Sequence, residues 1–173
     1  RRVLFRSVVV ILIQVAALAY GLYVIAQSRP VYIVFVKDSF ELLAATQLLE
    51  EDLNEASEIK YQKLPIIGPQ LVCAQSPNDP VKKSDLMFSA LDGKDIQFFP
   101  KYYTKCDLSL VLGAAYDRSY LESILHKKAI DIDLGEQNFT WLPYKTRFDT
   151  WVEVYPEGDY SRRVFLPIDP YGT

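Results

Sequence analysis

Few of the 173 residues have the types and spacing that chemistry needs. The single histidine, His126, stands beside Lys127 and Lys128. An imidazole can bind a metal or move a proton near neutral pH. No Cys, His or carboxylate lies at ligand spacing from this one, so it is expected on a solvated helix face. Asp131 and Asp133 flank Ile132 and could pair as acid and base, but alternation around an apolar residue is also the pattern of a strand's wet side, which is the expectation here. Cys73 and Cys106 are too few for a disulfide scaffold and lack zinc spacing, which leaves one bridge or two buried thiols. Asn138-Phe139-Thr140 fits a glycosylation sequon, a three-residue pattern that chance supplies readily. Gly-x-Ser-x-Gly, a phosphate-binding loop and the dinucleotide fingerprint do not occur. The chain is therefore expected to be no enzyme, to hold no cofactor or metal, and to take no small-molecule substrate.

The elements that would position such residues divide the chain unevenly. Residues 8–26 carry no charge and one strongly polar side chain, Gln14. At 1.5 Å per residue that run makes about 28 Å of helix, the thickness of a bilayer's hydrocarbon core. A cleavable signal peptide has a shorter apolar region and a small-residue cleavage site. Here Tyr20 and Tyr23 precede Gln27-Ser28-Arg29-Pro30, interfacial rings and a helix stop that suit a retained anchor. The preceding RRVLFRS, residues 1–7, resembles a translated sequencing adapter and is expected to be a non-native leader. Its arginines then say nothing about orientation. Without Arg1, Arg2 and Arg6 the net charge falls from −3 to −6, a poor match for nucleic acid or anionic lipid.

Beyond the membrane segment, 31–36 reads as a buried strand and 70–74 as a second. Leu42, Ala45, Leu49 and Leu53 fall on one helical face, which predicts a helix over 40–57. Asp79 as cap, Pro80 at the first turn and Gly93 as stop predict a helix over 80–92. Asp117 is expected to cap another that ends at Lys128. Strands follow at 141–144, 151–155 and 163–167, with Pro156-Glu157-Gly158-Asp159 as a hairpin turn. The expected architecture is α+β: a transmembrane helix at 8–27, then one small mixed domain over 28–173. Within the helix, Gln14, Ala17 and Gly21 share a face on which small residues admit a second helix and Gln can hydrogen-bond across the contact.

The stretch QVAALAYGLYVIAQSRPVYIVFVKDSFEL resembles the exit helix and first extracytoplasmic strand of the TfpX/TfpZ family of type IV pilin accessory proteins. LPIIGPQLV, LDGKDIQFFPKYY, WLPYKTR, DTWVEV and VFLPIDPY follow in the family's order, so the resemblance covers most of residues 14–171. It implies a bacterial inner-membrane protein with its C-terminal domain in the periplasm and further hydrophobic segments upstream. It also implies a role in producing a cognate type IV pilin, major or minor, and no catalysis. Arg29, Lys94, Asp95, Lys101, Tyr102, Tyr103 and Trp141 match polar or aromatic positions of these stretches and become candidate partner-binding residues, with core packing the other role open to Trp141. The rival functions are a membrane-tethered enzyme that modifies pilin and a periplasmic sensor module. The orientation is testable: alkaline phosphatase fused after Thr173 should be active and a cytoplasm-dependent reporter silent, and the inverse result would reverse the implied topology.

Overall fold

The computed structural model describes residues 2–130, 132, 134–160 and 162–172. Helix α1 (Arg2–Ser28) extends back through the leader, and its Ser7–Ser28 stretch is long and apolar enough to cross a membrane. None of that stretch is buried by the rest of the chain. Proline forces the residue before it out of helical geometry, so Arg29 alone separates α1 from strand β1 (Pro30–Val36). The Arg29 Nη1 turns back to donate to the Ala26 carbonyl at 2.7 Å, a cation on the orphan acceptors of a helix C-terminus. Its backbone carbonyl accepts from Ala45 N at 3.0 Å.

The helix expected over 40–57 is instead strand β2 (Ser39–Ala44), a 3₁₀ turn over Ala45–Gln47 and a short helix α2 (Glu50–Asn54). Lys37, at φ +55°, and Asp38 close a two-residue turn, with Asp38 N donating to the Val36 carbonyl at 2.7 Å. That turn sets Val36 opposite Ser39 and Phe35 opposite Phe40, so ladder pairing with a buried strand overrides the helical period. Leu49, expected on the inner face, is exposed, whereas Leu43, Ala45, Leu48 and Leu53 are buried.

The remaining elements are β3 (Gln70–Ala74), α3 (Pro80–Leu91), β4 (Tyr103–Thr104), α4 (Leu108–Gly113), β5 (Tyr116–Asp117), α5 (Arg118–Lys128), β6 (Phe139–Lys145), β7 (Thr150–Pro156) and β8 (Val164–Leu166). They form one mixed sheet in the order β4-β3-β1-β2-β6-β7-β8, with β5 also on β6, which is the α+β architecture expected. Asp117 gives α5 no side-chain cap; extended in β5, it offers its carbonyl to Trp141 Nε1 at 3.0 Å.

β1 is covered on both faces. Tyr32, Val34 and Val36 meet Tyr61 and Tyr103, with the Tyr32 ring edge-on to Tyr103 at 5.3 Å. Phe35 points the other way, into a cluster with Phe40, Cys73, Val111 of α4, Leu142 and Tyr155. In the far half of the sheet Leu121 and Leu125 of α5 pack on Trp141, Val152 and Val154. Cys73 of β3 and Cys106 are joined by a disulfide with an S–S separation of 2.12 Å, 33 residues apart in sequence. Closing a loop of that length restricts the unfolded chain by about 3 to 4 kcal/mol in the chain-entropy account. Replacing both cysteines by alanine should lower the urea-unfolding stability of the full chain in detergent by an amount of that order. An unchanged midpoint would contradict the bridge's contribution.

Candidate functional site

α3 is the helix the domain does least to cover. The Asp79 carboxylate accepts from Val81 N at 2.9 Å, Pro80 occupies the first turn, and Gly93, at φ +88°, closes the end. These local signals form the helix without a buried face: none of its twelve residues is buried, and Val81, Met87, Phe88 and Leu91 are each at least 64% exposed. A helix of this length is marginal without tertiary packing, and here Leu86 packs on the core while Val81, Met87, Phe88 and Leu91 stay exposed. On one flank of α3 lies a groove of about 520 Å³ whose apolar walls include Val36, Ala74, Leu86, Met87, Leu91 and Ile96. On the other flank lies a mixed depression of about 480 Å³ that includes Lys82, Asp85, Ser89, Phe99, Lys101 and Tyr102.

Lys101 and Tyr102 line the second depression, and Lys94 meets the Phe99 ring that also lines it. Lys94 Nζ pairs with Asp52 at 2.7 Å and stands 4.6 Å from the Phe99 ring centroid. Lys101 Nζ pairs with Glu55 at 2.8 Å and stands 5.3 Å from the same ring. The Glu55 hydrogen bond holds the Lys101 ammonium above its ordinary pKa, and Lys101 holds the Glu55 carboxyl below its own. Tyr102 sits edge-on to Phe99 at 6.2 Å. Lys94, Lys101 and Tyr102 thus converge on one ring. Asp95 borders the apolar groove, and its carboxylate accepts from Ile96 N at 2.7 Å. Arg29 is elsewhere, at the α1–β1 junction. Tyr103 and Trp141, each 1% exposed, lie in the interior; the Tyr103 hydroxyl donates to the Gln97 carbonyl, and Trp141 stacks on Tyr120 at 5.8 Å.

Gln14, Ala17 and Gly21 lie along α1 with no domain residue against them; a Cβ added at Gly21 would meet nothing within 4 Å. His126 is exposed in the last turn of α5, where Lys127 and Lys128 accompany it. Asn138 Nδ2 donates to Glu157 at 2.8 Å. Asp131 and Asp133 fall outside the described residues.

One titratable group in the interior was not singled out from sequence. Glu153 of β7 is 1% exposed and lies 3.4 Å from Arg163 Nη1. Burial raises its carboxyl pKa, while Arg163 and a hydrogen bond with the Tyr155 hydroxyl pull it the other way. Burial also raises the Tyr155 hydroxyl's pKa. Glu153 is thus enclosed by β7's neighbours and held by Arg163 and Tyr155.

The fold and these surfaces define a class: an α+β domain joined to a long apolar helix, with an open apolar helix face. Over 87 residues the chain is 30% identical to a fimbrial assembly protein, serogroup E1, of Dichelobacter nodosus. The match covers 50% of this chain and 34% of the relative, so the chain spans about a third of that protein's length. No protein-family model and no solved structure matches the chain.

Glu153 makes the pH dependence specific. The folded chain holds its proton more tightly than the unfolded chain, whose carboxyl sits near 4.5. The group's contribution to stability is therefore fully present below that value and lost as pH rises through the folded pKa. Glu153→Gln should flatten this part of the stability profile as pH rises above about 4.5. Arg163 is half exposed and returns to water without a stranded charge. Unfolding midpoints across that range check it, and a variant that keeps the full wild-type slope would contradict it.

Proposed function

We propose that this chain is a pilus accessory protein, held in a bacterial inner membrane by α1, whose periplasmic domain supports production, stability or assembly of a cognate type IV pilin without catalysing a reaction. A pilin awaiting assembly exposes a long apolar helix and an unpaired head, both prone to non-specific association. The chain offers one surface for each. Gln14, Ala17 and Gly21 form an open small-residue face suited to a second membrane helix. The apolar side of α3 and its groove suit the pilin head, with Lys101 and Tyr102 in the neighbouring depression and Lys94 on the same Phe99 ring.

The observation that carries the reading is α3: a well-capped helix with no buried residue and Met87, Phe88 and Leu91 turned outward. The relative's description as a fimbrial assembly protein points the same way, as does the resemblance of the exit helix and later stretches to pilin accessory proteins. The rival enzyme reading would rest on Glu153, which is enclosed and paired.

Co-purification of the pilin from mild detergent tests both surfaces. Gly21→Leu adds bulk where the free chain has open space, and Leu91→Lys places a cation at a helix C-terminus, so neither should disturb folding. Each should cut pilin recovery roughly tenfold, the scale of a lost interface hot spot. Undiminished recovery with both variants would remove the docking role from these faces.

A further inference from the structure

Ile67, Ile66 and Phe148, at 90%, 87% and 85% exposure, are the most exposed large hydrophobic side chains among the described residues. They come from different loops, yet the topology carries them to one end of the sheet. β3 runs parallel to β1 with Gln70 opposite Tyr32, so the loop 63–69 before it lies beside the start of β1. Contacts fix it there: Arg29 Nη2 donates to the Pro65 carbonyl and the Tyr32 hydroxyl to the Lys63 carbonyl, both at 3.4 Å. β2 returns to the same end, with Ala44 opposite Pro30. β6 runs parallel to β2, with Lys145 opposite Glu41, and so delivers the β6–β7 turn and Phe148 to that end as well. That end is where α1 leaves the bilayer.

We propose that this end of the domain dips into the bilayer that α1 crosses, with Ile66, Ile67 and Phe148 seated among the upper acyl chains. The proposal rests on α1 being the membrane span. Because the Pro65 carbonyl accepts from Arg29, Ile66 and Ile67 follow at most about 7 Å of chain after a contact with the residue that ends α1. The tip suits that medium. No charge occurs from Leu64 to Asn78, and Pro65 and Pro69 bring no backbone N–H that hydrocarbon would leave unpaired. Basic side chains stand behind the tips: Lys63 is exposed, and the Arg147 guanidinium lies 5.6 Å from the Phe148 ring, an apolar surface with a cation able to reach phosphate. The opposite end of the sheet carries Lys37-Asp38 and Glu157-Gly158-Asp159 in its turns, residues suited to water.

Depth-dependent quenching tests the insertion. The full chain is reconstituted in phosphatidylethanolamine–phosphatidylglycerol vesicles brominated near the carbonyl end of the acyl chains, and the parent signal of Trp141 and Trp151 is subtracted. Ile67→Trp and Phe148→Trp should be quenched at least roughly twofold more than Glu157→Trp at the far end of the sheet. Tyr23→Trp in α1 reports the span itself. Quenching of Tyr23→Trp with Ile67→Trp no greater than Glu157→Trp overturns the insertion, leaves the span standing and assigns the exposed tips to a protein partner. Loss of quenching at both Tyr23→Trp and Ile67→Trp overturns the span and the insertion together.

Discussion

The arrangement depends on the single-residue passage from α1 to β1. Pro30 ends the helix and begins the strand, and Arg29 between them is held at three points: Nη1 on Ala26, Nη2 on Pro65 and its carbonyl on Ala45 N. A junction so short and so bonded has no hinge residue to absorb rotation. It delivers a central strand, flanked by β3 and β2 and covered on both faces, so the sheet inherits its direction from the helix.

From that constraint the two ends of the sheet acquire different surroundings. β1 climbs about 20 Å away from the exit of α1, and its far end at Val36, with Ala74 of β3, forms one wall of the groove beside α3. The groove therefore stands off the exit of α1, while the loop before β3 lies beside that exit. The Cys73–Cys106 bridge ties β3 to the chain beyond β4, holding together the part of the sheet on which α3 is mounted. The small-residue face of α1 and the apolar side of α3 are thus connected through β1, β3 and the bridge.

Much of this was legible in the chain. The apolar run, the Pro30 stop, the two strands at 31–36 and 70–74, the Asp79-Pro80…Gly93 punctuation of α3 and the C-terminal strands are local signals, and local physics places them correctly. Residues 40–57 misled because Leu42, Ala45, Leu49 and Leu53 keep a helical period, whereas the turn at Lys37-Asp38 commits Ser39–Ala44 to the ladder. Glu153 escaped notice for a related reason. Alternation with Val152 and Val154 marks it as outward-facing, and only the tertiary layer containing Val111, Leu142 and Tyr155 encloses that side. Of the candidate residues, Lys94, Lys101 and Tyr102 gather at Phe99, but the large aromatics Tyr103 and Trp141 are interior. The apolar outward face of α3 was written in Met87, Phe88 and Leu91, yet a single amphipathic helix does not say whether its own domain or another molecule covers it.

Hydrogen exchange of the full chain in bilayers tests the rigid passage most directly. If α1 and the sheet are one body, the amides of Ala26–Ser28, Tyr32–Val36 and Ala45 should exchange as slowly as those of β6, through global opening alone. Fast exchange centred on Arg29 and spreading to Tyr32 and Ala45 would reveal a hinge at the junction and contradict the account.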